Sequence, residues 1–248
     1  MTTLQTAVPY LAAALAGFTQ GFSGFGSTVV ALPLLGAVMG MQQAVPLGCL
    51  MALTINVLLT ARLRAHVNRF PLGMLLLSAL PGMALGAVFL GAAPEALLKA
   101  LLGLGVLLFA LSSFRAQPSG GPANPGWAVP AGFLSGCLGV CIGINGPPVV
   151  AWAARQSWPR DAFKATLTSY FLLAGIGIVG TQALHGRVNG PVLGLYVSAL
   201  PPLLAGLWFG YSCSGKLGER TFRRIMLVLV ACMGALLLRQ AGVAYLAG

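Results

Sequence analysis

Of 248 residues, 58% are hydrophobic and 7% charged, and fourteen Lys and Arg stand against three acidic residues, a formal charge of +11. So few charges cannot cover a water-soluble domain of this length, so lipid is the solvent for most of the chain and an ordinary soluble enzyme is excluded. The cations lie between apolar runs, where the positive-inside rule accounts for them, and no nucleic-acid partner is expected.

Apolar stretches fall at about 8–39, 44–61, 72–91, 95–114, 127–154, 163–183, 191–211 and 221–238. A crossing helix needs about 20 mostly apolar residues, so the pattern predicts an all-α polytopic membrane protein. The stretches at 8–39 and 127–154 are too long for one simple crossing, and glycines interrupt both. Between the fourth and fifth lies 115–126, whose Pro, Gly and Ser content is that of a linker. It divides a first membrane repeat, 1–114, from a second, 127–248. Met1 to Pro9 has no positive n-region, so no cleaved signal peptide is expected. Five cysteines without a paired framework argue against a disulfide scaffold.

The two halves share an ordered series of residues. Gly17-Phe18, Gly24 and Pro33 match Gly132-Phe133, Gly139 and Pro148 at an offset of 115. Ser78 to Pro81 recurs as Ser198 to Pro201, and Gly86 as Gly206, at an offset of 120. Charge placement then separates parallel from inverted repeats. With four full crossings per half, Lys and Arg divide six to eight between the faces, which orients nothing. If the first segment of each half instead enters and returns on one side, one face collects eleven: Arg62, Arg64, Arg69, Arg115, Arg155, Arg160, Lys164, Lys216, Arg220, Arg223 and Arg224. The other keeps Lys99, Arg187 and Arg239. That bias predicts inverted repeats with re-entrant first segments, in a bacterial cytoplasmic (inner) membrane, with both termini outside.

The breaks read Gln20-Gly-Phe-Ser23-Gly24-Phe-Gly26-Ser27-Thr28 and Gly139-Val-Cys-Ile-Gly143-Ile-Asn145-Gly146-Pro147-Pro148. Non-helical backbone at membrane depth is tolerated where it is buried in protein or lines a wet cavity. A helix start follows each break, with Ser27 or Thr28 expected to cap the first and Asn145 the second, and with Pro147 and Pro148 suited to a first turn. Two such N-termini near the midplane make an anion site without a buried cation. The alternative is that the glycines serve close helix packing. Candidate substrate contacts are therefore Gln20, Ser23, Gly24, Gly26, Ser27, Thr28, Gly139, Gly143, Asn145, Gly146 and Pro147. Thr54, Asn56, Thr166, Ser169 and Tyr170, polar groups within apolar runs, are candidates to line the pathway.

The run Gly17-Phe18-Thr19-Gln20-Gly21-Phe22-Ser23-Gly24-Phe25-Gly26, continuing to Pro33, resembles the opening motif of the TauE/SafE sulfite exporter family. Gly132 through Gly139 to Asn145-Gly146-Pro147-Pro148 resembles that family's second copy of the motif. The resemblance covers nearly the whole chain and implies export of small sulfur-containing anions such as sulfite or organosulfonates. One departure is that Phe22, Ser23 and Phe25 make the first break less glycine-dense.

Glu95, Asp161 and Glu219 lie near segment ends, so no embedded carboxylate demands proton coupling. Moving one negative charge out of a negative-inside cell releases about 2.3 kcal/mol per 100 mV, enough to drive an anion uniporter. No catalytic motif, metal cluster or cofactor signature is present, and neither catalysis, a metal nor a cofactor is expected. The expected partners are a small anion, the lipid bilayer and, as an open option, a second copy of the chain. Two other readings stay open: a permease for a metal cation or another anion, and a non-transport membrane factor using Cys137 and Cys141, spaced i, i+4 beside the second break.

Overall fold

The computed structural model describes residues 3–115, 125–156, 158–214, 228, 231–232 and 234–243. They form α1 (Thr3–Ser23), α2 (Ser27–Val38), α3 (Met41–Leu63), α4 (Arg69–Ala92), α5 (Glu95–Arg115), α6 (Ala128–Ile142), α7 (Gly146–Ala153), α8 (Arg160–Leu184) and α9 (Gly190–Cys213), with a further helical stretch over 234–243. Among the described residues there is no strand. Most of the linker at 115–126 and most of the eighth apolar stretch at 221–238, with Lys216, Glu219, Arg220, Arg223 and Arg224, lie outside the described residues.

Local chemistry accounts for several helix ends. Glu95 and Asp161 sit in the first turns of α5 and α8, where a carboxylate complements the positive end of the helix. Glu95 also pairs with Lys99 one turn on, at 3.1 Å. The Asn189 side chain accepts from the Val192 N–H at 3.2 Å and caps α9, with Pro191 in the first turn.

Among the described residues, α3, α4, α8 and α9 are long and apolar enough to cross a bilayer. The expectation of broken first segments holds. The 8–39 stretch is α1 plus the 12-residue α2, and 127–154 is α6 plus the eight-residue α7. At about 1.5 Å per residue, neither α2 nor α7 spans a hydrocarbon core of about 30 Å.

The breaks themselves are shorter than expected. Helix α1 continues through Gln20 to Ser23, so only Gly24 to Gly26 are irregular, and Gly139 belongs to α6. Gly24 (φ 87°), Gly26 (φ 95°) and Gly143 (φ 74°) occupy the left-handed region, where a side chain is strained. The Gly24 N–H returns to the Gln20 carbonyl (2.7 Å) and that of Gly143 to Gly139 (3.0 Å), closing α1 and α6 in the same way. Gly24 and Gly143 thus hold the same place at the ends of α1 and α6, whereas Gly139 lies within α6. Pro33 lies inside α2, whereas Pro148 stands in the first turn of α7.

The capping expectation fails. Gly26 is the N-cap of α2 and makes no side-chain bond, while Ser27 and Thr28 are already helical. Asn145 holds the N-cap position of α7, but its side chain makes no capping bond.

Glycines elsewhere serve packing. Helix α1 runs alongside α9, and α6 alongside α4. A Cβ on Gly17 or Gly21 would overlap the α9 backbone at Leu203 and Leu207, and one on Gly206 or Gly210 would overlap the Ala14 and Phe18 carbonyls. Gly82 and Gly86 abut Phe133 and Cys137 in the same manner, as Gly132 and Gly136 abut Leu75 and Ala79. Residue numbers rise together across both pairs, so each is parallel. Each is built on two glycine-x-x-x-glycine faces, which let backbones approach where apolar burial supplies no drive between helices. Each pair also joins a helix before 116–124 to one after it. Leu77 on α4 and Trp208 on α9 turn outward, 72% and 71% exposed, as lipid-facing residues do.

Candidate functional site

Both breaks line one cavity. Its walls are Gln20, Phe25, Gly26, Ser27, Thr28, Val29, Ala52, Asn56, Asn145, Gly146, Pro147 and Phe171. It thus joins the end of α1, the first turn of α2, the middle of α3, the start of α7 and one ring from α8. Open to the centre of a water molecule is about 20 Å³, room for one or two waters. That is too narrow for a four-atom oxyanion, so the cavity forms a constriction between the breaks.

Its chemistry is that of uncharged donors. Gln20 and Asn56, 2% and 3% exposed, are bonded Nε2 to Oδ1 at 2.6 Å. With its oxygen engaged, Asn56 retains its Nδ2 hydrogens as donors. The first bond of the α2 ladder runs from the Val30 N–H to the Gly26 carbonyl, 3.2 Å. The N–H groups of Ser27, Thr28 and Val29 therefore precede the ladder, as in any helix start. Ser27 and Thr28 add buried hydroxyls. The α7 start is poorer in donors, because Pro147 and Pro148 have no N–H, leaving the Gly146 N–H in that turn. A helix N-terminus carries roughly half a positive charge. No lining residue is ionisable.

Of the predicted contacts, the cavity brings together Gln20, Gly26, Ser27, Thr28, Asn145, Gly146 and Pro147, with Asn56 from the predicted pathway. Ser23 stands apart: its hydroxyl lies 2.6 Å from the Thr19 carbonyl and 2.7 Å from that of Phe25, bracing the turn. Gly24 lines a second cavity, which also touches Gln20. Gly139 and Gly143 lie outside both cavities and allow close approach. A Cβ on Gly139 would stand 3.0 Å from Asn145 Cβ, and one on Gly143 would stand 2.8 Å from Leu32 Cδ1.

Other pathway candidates act between helices. The Thr54 hydroxyl meets the Tyr196 hydroxyl at 2.6 Å, tying α3 to α9. Thr166 Oγ1 accepts from the Asn68 N–H at 3.0 Å, holding the α3–α4 turn against α8. Ser169 is buried on α8 away from the cavity. The Tyr170 hydroxyl donates to Ser135 Oγ (2.7 Å), which donates in turn to the Asn145 carbonyl. That relay fixes the second break from behind.

Sequence reasoning missed Ser135, which in the sequence is only a serine beside Gly136 and in the structure is fully buried, and the aromatic walls Phe25 and Phe171. Cys141 is also a tether: its thiol donates to the Gly86 carbonyl at 3.3 Å, and neither it nor Cys137 lines a described cavity.

The family model for the sulfite exporter TauE/SafE matches residues 10–237, nearly the whole chain and all of the cavity. No curated protein and no solved structure gives a significant match.

Proposed function

We propose, from the premise that the chain belongs to the TauE/SafE sulfite exporter family, that it is a uniporter moving sulfite or a small organosulfonate out of the cell through the constriction between the two breaks. Membership in a transporter family, together with its apolar helices, makes it a multi-pass membrane protein. The finer reading rests on one observation: two helix starts and the buried Gln20–Asn56 pair face a single cavity with no ionisable lining. Such a site suits an anion in transit. Partial charges of two helix ends attract it, and N–H and O–H donors replace its water. No fixed cation holds it too tightly to leave. Outward movement of each negative charge releases about 2.3 kcal/mol per 100 mV.

An inverted-repeat architecture agrees with this reading. The α1–α9 and α4–α6 pairs exchange partners between halves in the same way, and Gly24 and Gly143 close α1 and α6 alike. The placement of six cations supports it further. Arg62, Arg64 and Arg69 follow α3 beside the start of α8, near Arg155 and Lys164, as the Asn68–Thr166 bond requires. Lys99 lies at the opposite end, where Gly40 meets Glu95. By the positive-inside rule the arginine-rich end is cytoplasmic, which puts the N-terminus outside.

The test is voltage-driven flux in proteoliposomes without a pH gradient, with sulfite, a sulfonate and chloride compared. Saturable sulfite or sulfonate flux exceeding that of chloride is expected. Absence of flux for every anion in folded protein would overturn the transport reading. A proton gradient required at fixed voltage would overturn uniport.

A further inference from the structure

Beside the constriction lies a larger cavity, about 280 Å³ by the same measure, lined by Gln20, Gly21, Gly24, Leu59, Leu63, Asp161, Lys164, Tyr211 and Ser214. It gathers the ends of α1, α3 and α9 and the start of α8, at the arginine-rich end of the bundle. Gln20 lines both cavities and stands between them, so the larger one, a vestibule at the arginine-rich end, adjoins the constriction.

The lysine in it is placed rather than loosely solvated. A Cβ built on Gly24 would meet Lys164 Cγ at 3.1 Å, Cδ at 3.4 Å and Cε at 3.6 Å, so the lysine stem lies across the first break. Among the described residues its ammonium has no ion-pair partner. Asp161, one turn earlier on α8, shares the vestibule. At the rim the Arg62 guanidinium stands 5.1 Å from the centre of the Tyr211 ring, a cation–π contact on a vestibule residue. Ionisable groups that face a cavity in a membrane protein mark substrate pathways; Lys164 and Asp161 balance within the lining, so the excess positive charge that draws an anion in is that of Arg62 at the rim.

We propose that Lys164 captures the anion in this vestibule and hands it to Gln20, which makes it a specificity-determining residue on the cytoplasmic side of the pathway. The proposal rests on the anion-export reading and adds a second, charged station to the uncharged one. Lys164 selects for negative charge at the mouth, and Asp161 opposes capture and keeps it weak enough for onward release. Packing of the lysine stem on Gly24 couples capture to the break.

Lys164→Gln, Lys164→Arg and Asp161→Asn are compared with the unaltered protein in voltage-driven sulfonate flux. Lys164→Gln is expected to raise the half-saturating concentration at least tenfold with the maximal rate within about threefold, and raised salt is expected to shrink that difference. Lys164→Arg should keep near-native affinity, and Asp161→Asn should tighten it. A fall in maximal rate at unchanged half-saturation, shared by Lys164→Arg, would overturn capture and leave a packing role on Gly24. Unchanged kinetics in Lys164→Gln would overturn it as well, with the transport reading intact. No flux in the unaltered protein would remove both. Should Lys164→Gln fail to fold, Asp161→Asn carries the test, and unchanged or weakened affinity there overturns the proposal.

Discussion

Replacing Asn56 with aspartate places a negative charge in the wall of the constriction with almost no change in shape. The Gln20 Nε2 donor, 2.6 Å from Oδ1, serves a carboxylate as well as an amide, so the local bond survives. Repulsion of the transported ion is the dominant effect. The cavity is so narrow that an occupant lies within about 5 Å of the side chain, where two like charges at an effective dielectric of about 20 repel by about 3 kcal/mol. That corresponds to roughly a hundredfold weaker binding. Asn56→Leu removes donors without adding charge and should cost about 1 kcal/mol, roughly fivefold. The assay is half-saturation of voltage-driven flux for a sulfonate, whose own charge does not change near neutrality, at about pH 8. An Asn56→Asp protein that saturates like the unaltered one, or no more weakly than Asn56→Leu, would refute the placement of the anion beside Asn56.

Other consequences are equally direct. Gly26→Ala has room for its methyl, the nearest atom being Thr19 Cγ2 at 3.6 Å, but keeps a φ near 95°, so it should lose about 1–2 kcal/mol, read as a lowered unfolding temperature in detergent. Gly146→Ala has an ordinary helical backbone and meets only Phe171 Cζ at 3.9 Å, so it should unfold like the unaltered protein while raising the half-saturating concentration by narrowing the cavity. Joint replacement of Cys137 and Cys141 by alanine should leave flux within about twofold, because the Cys141–Gly86 bond is a weak one; abolished flux with intact folding would favour a thiol-based role. Tyr170→Phe removes the donor to Ser135 and should slow transport several-fold with little change in ion selectivity, since Tyr170 and Ser135 position the second break through the Asn145 carbonyl without lining the cavity themselves.

Much of this architecture was legible because lipid imposes a narrow code. Apolar run length gave the segments, and the two overlong runs proved to be helix pairs joined at glycines. Charge placement suggested which loops share a face, and the Asn68–Thr166 bond brings the turn that carries Arg69 against the start of α8 near Lys164. Less accessible was the division of labour among glycines. Gly17, Gly132, Gly86 and Gly206 pack helices, Gly24, Gly26 and Gly143 turn the chain, and Gly146 leaves room in the cavity. Composition cannot separate these uses, because each needs only a missing side chain. Alignment by offset paired Gly24 with Gly139, since α6 reaches its turn four residues later in register than α1 does. Cap expectations failed for a related reason. A left-handed Gly26 places Ser27 and Thr28 inside α2, where their hydroxyls border the cavity. Thr54, Thr166 and Tyr170 read as pathway residues because polar groups in apolar runs can line a path or bond between helices, and their partners on α9, the α3–α4 turn and Ser135 are not visible in the sequence.

The central claim, that the anion passes between the two breaks, is tested most directly by protection of a cysteine at Ser27 in a chain whose five native cysteines are alanine. The rate of its modification by a small thiol reagent is measured against increasing sulfonate. The account predicts that sulfonate slows labelling, with half-protection at the concentration that half-saturates transport. A labelling rate indifferent to sulfonate, in a protein that still transports it saturably, would place the path elsewhere.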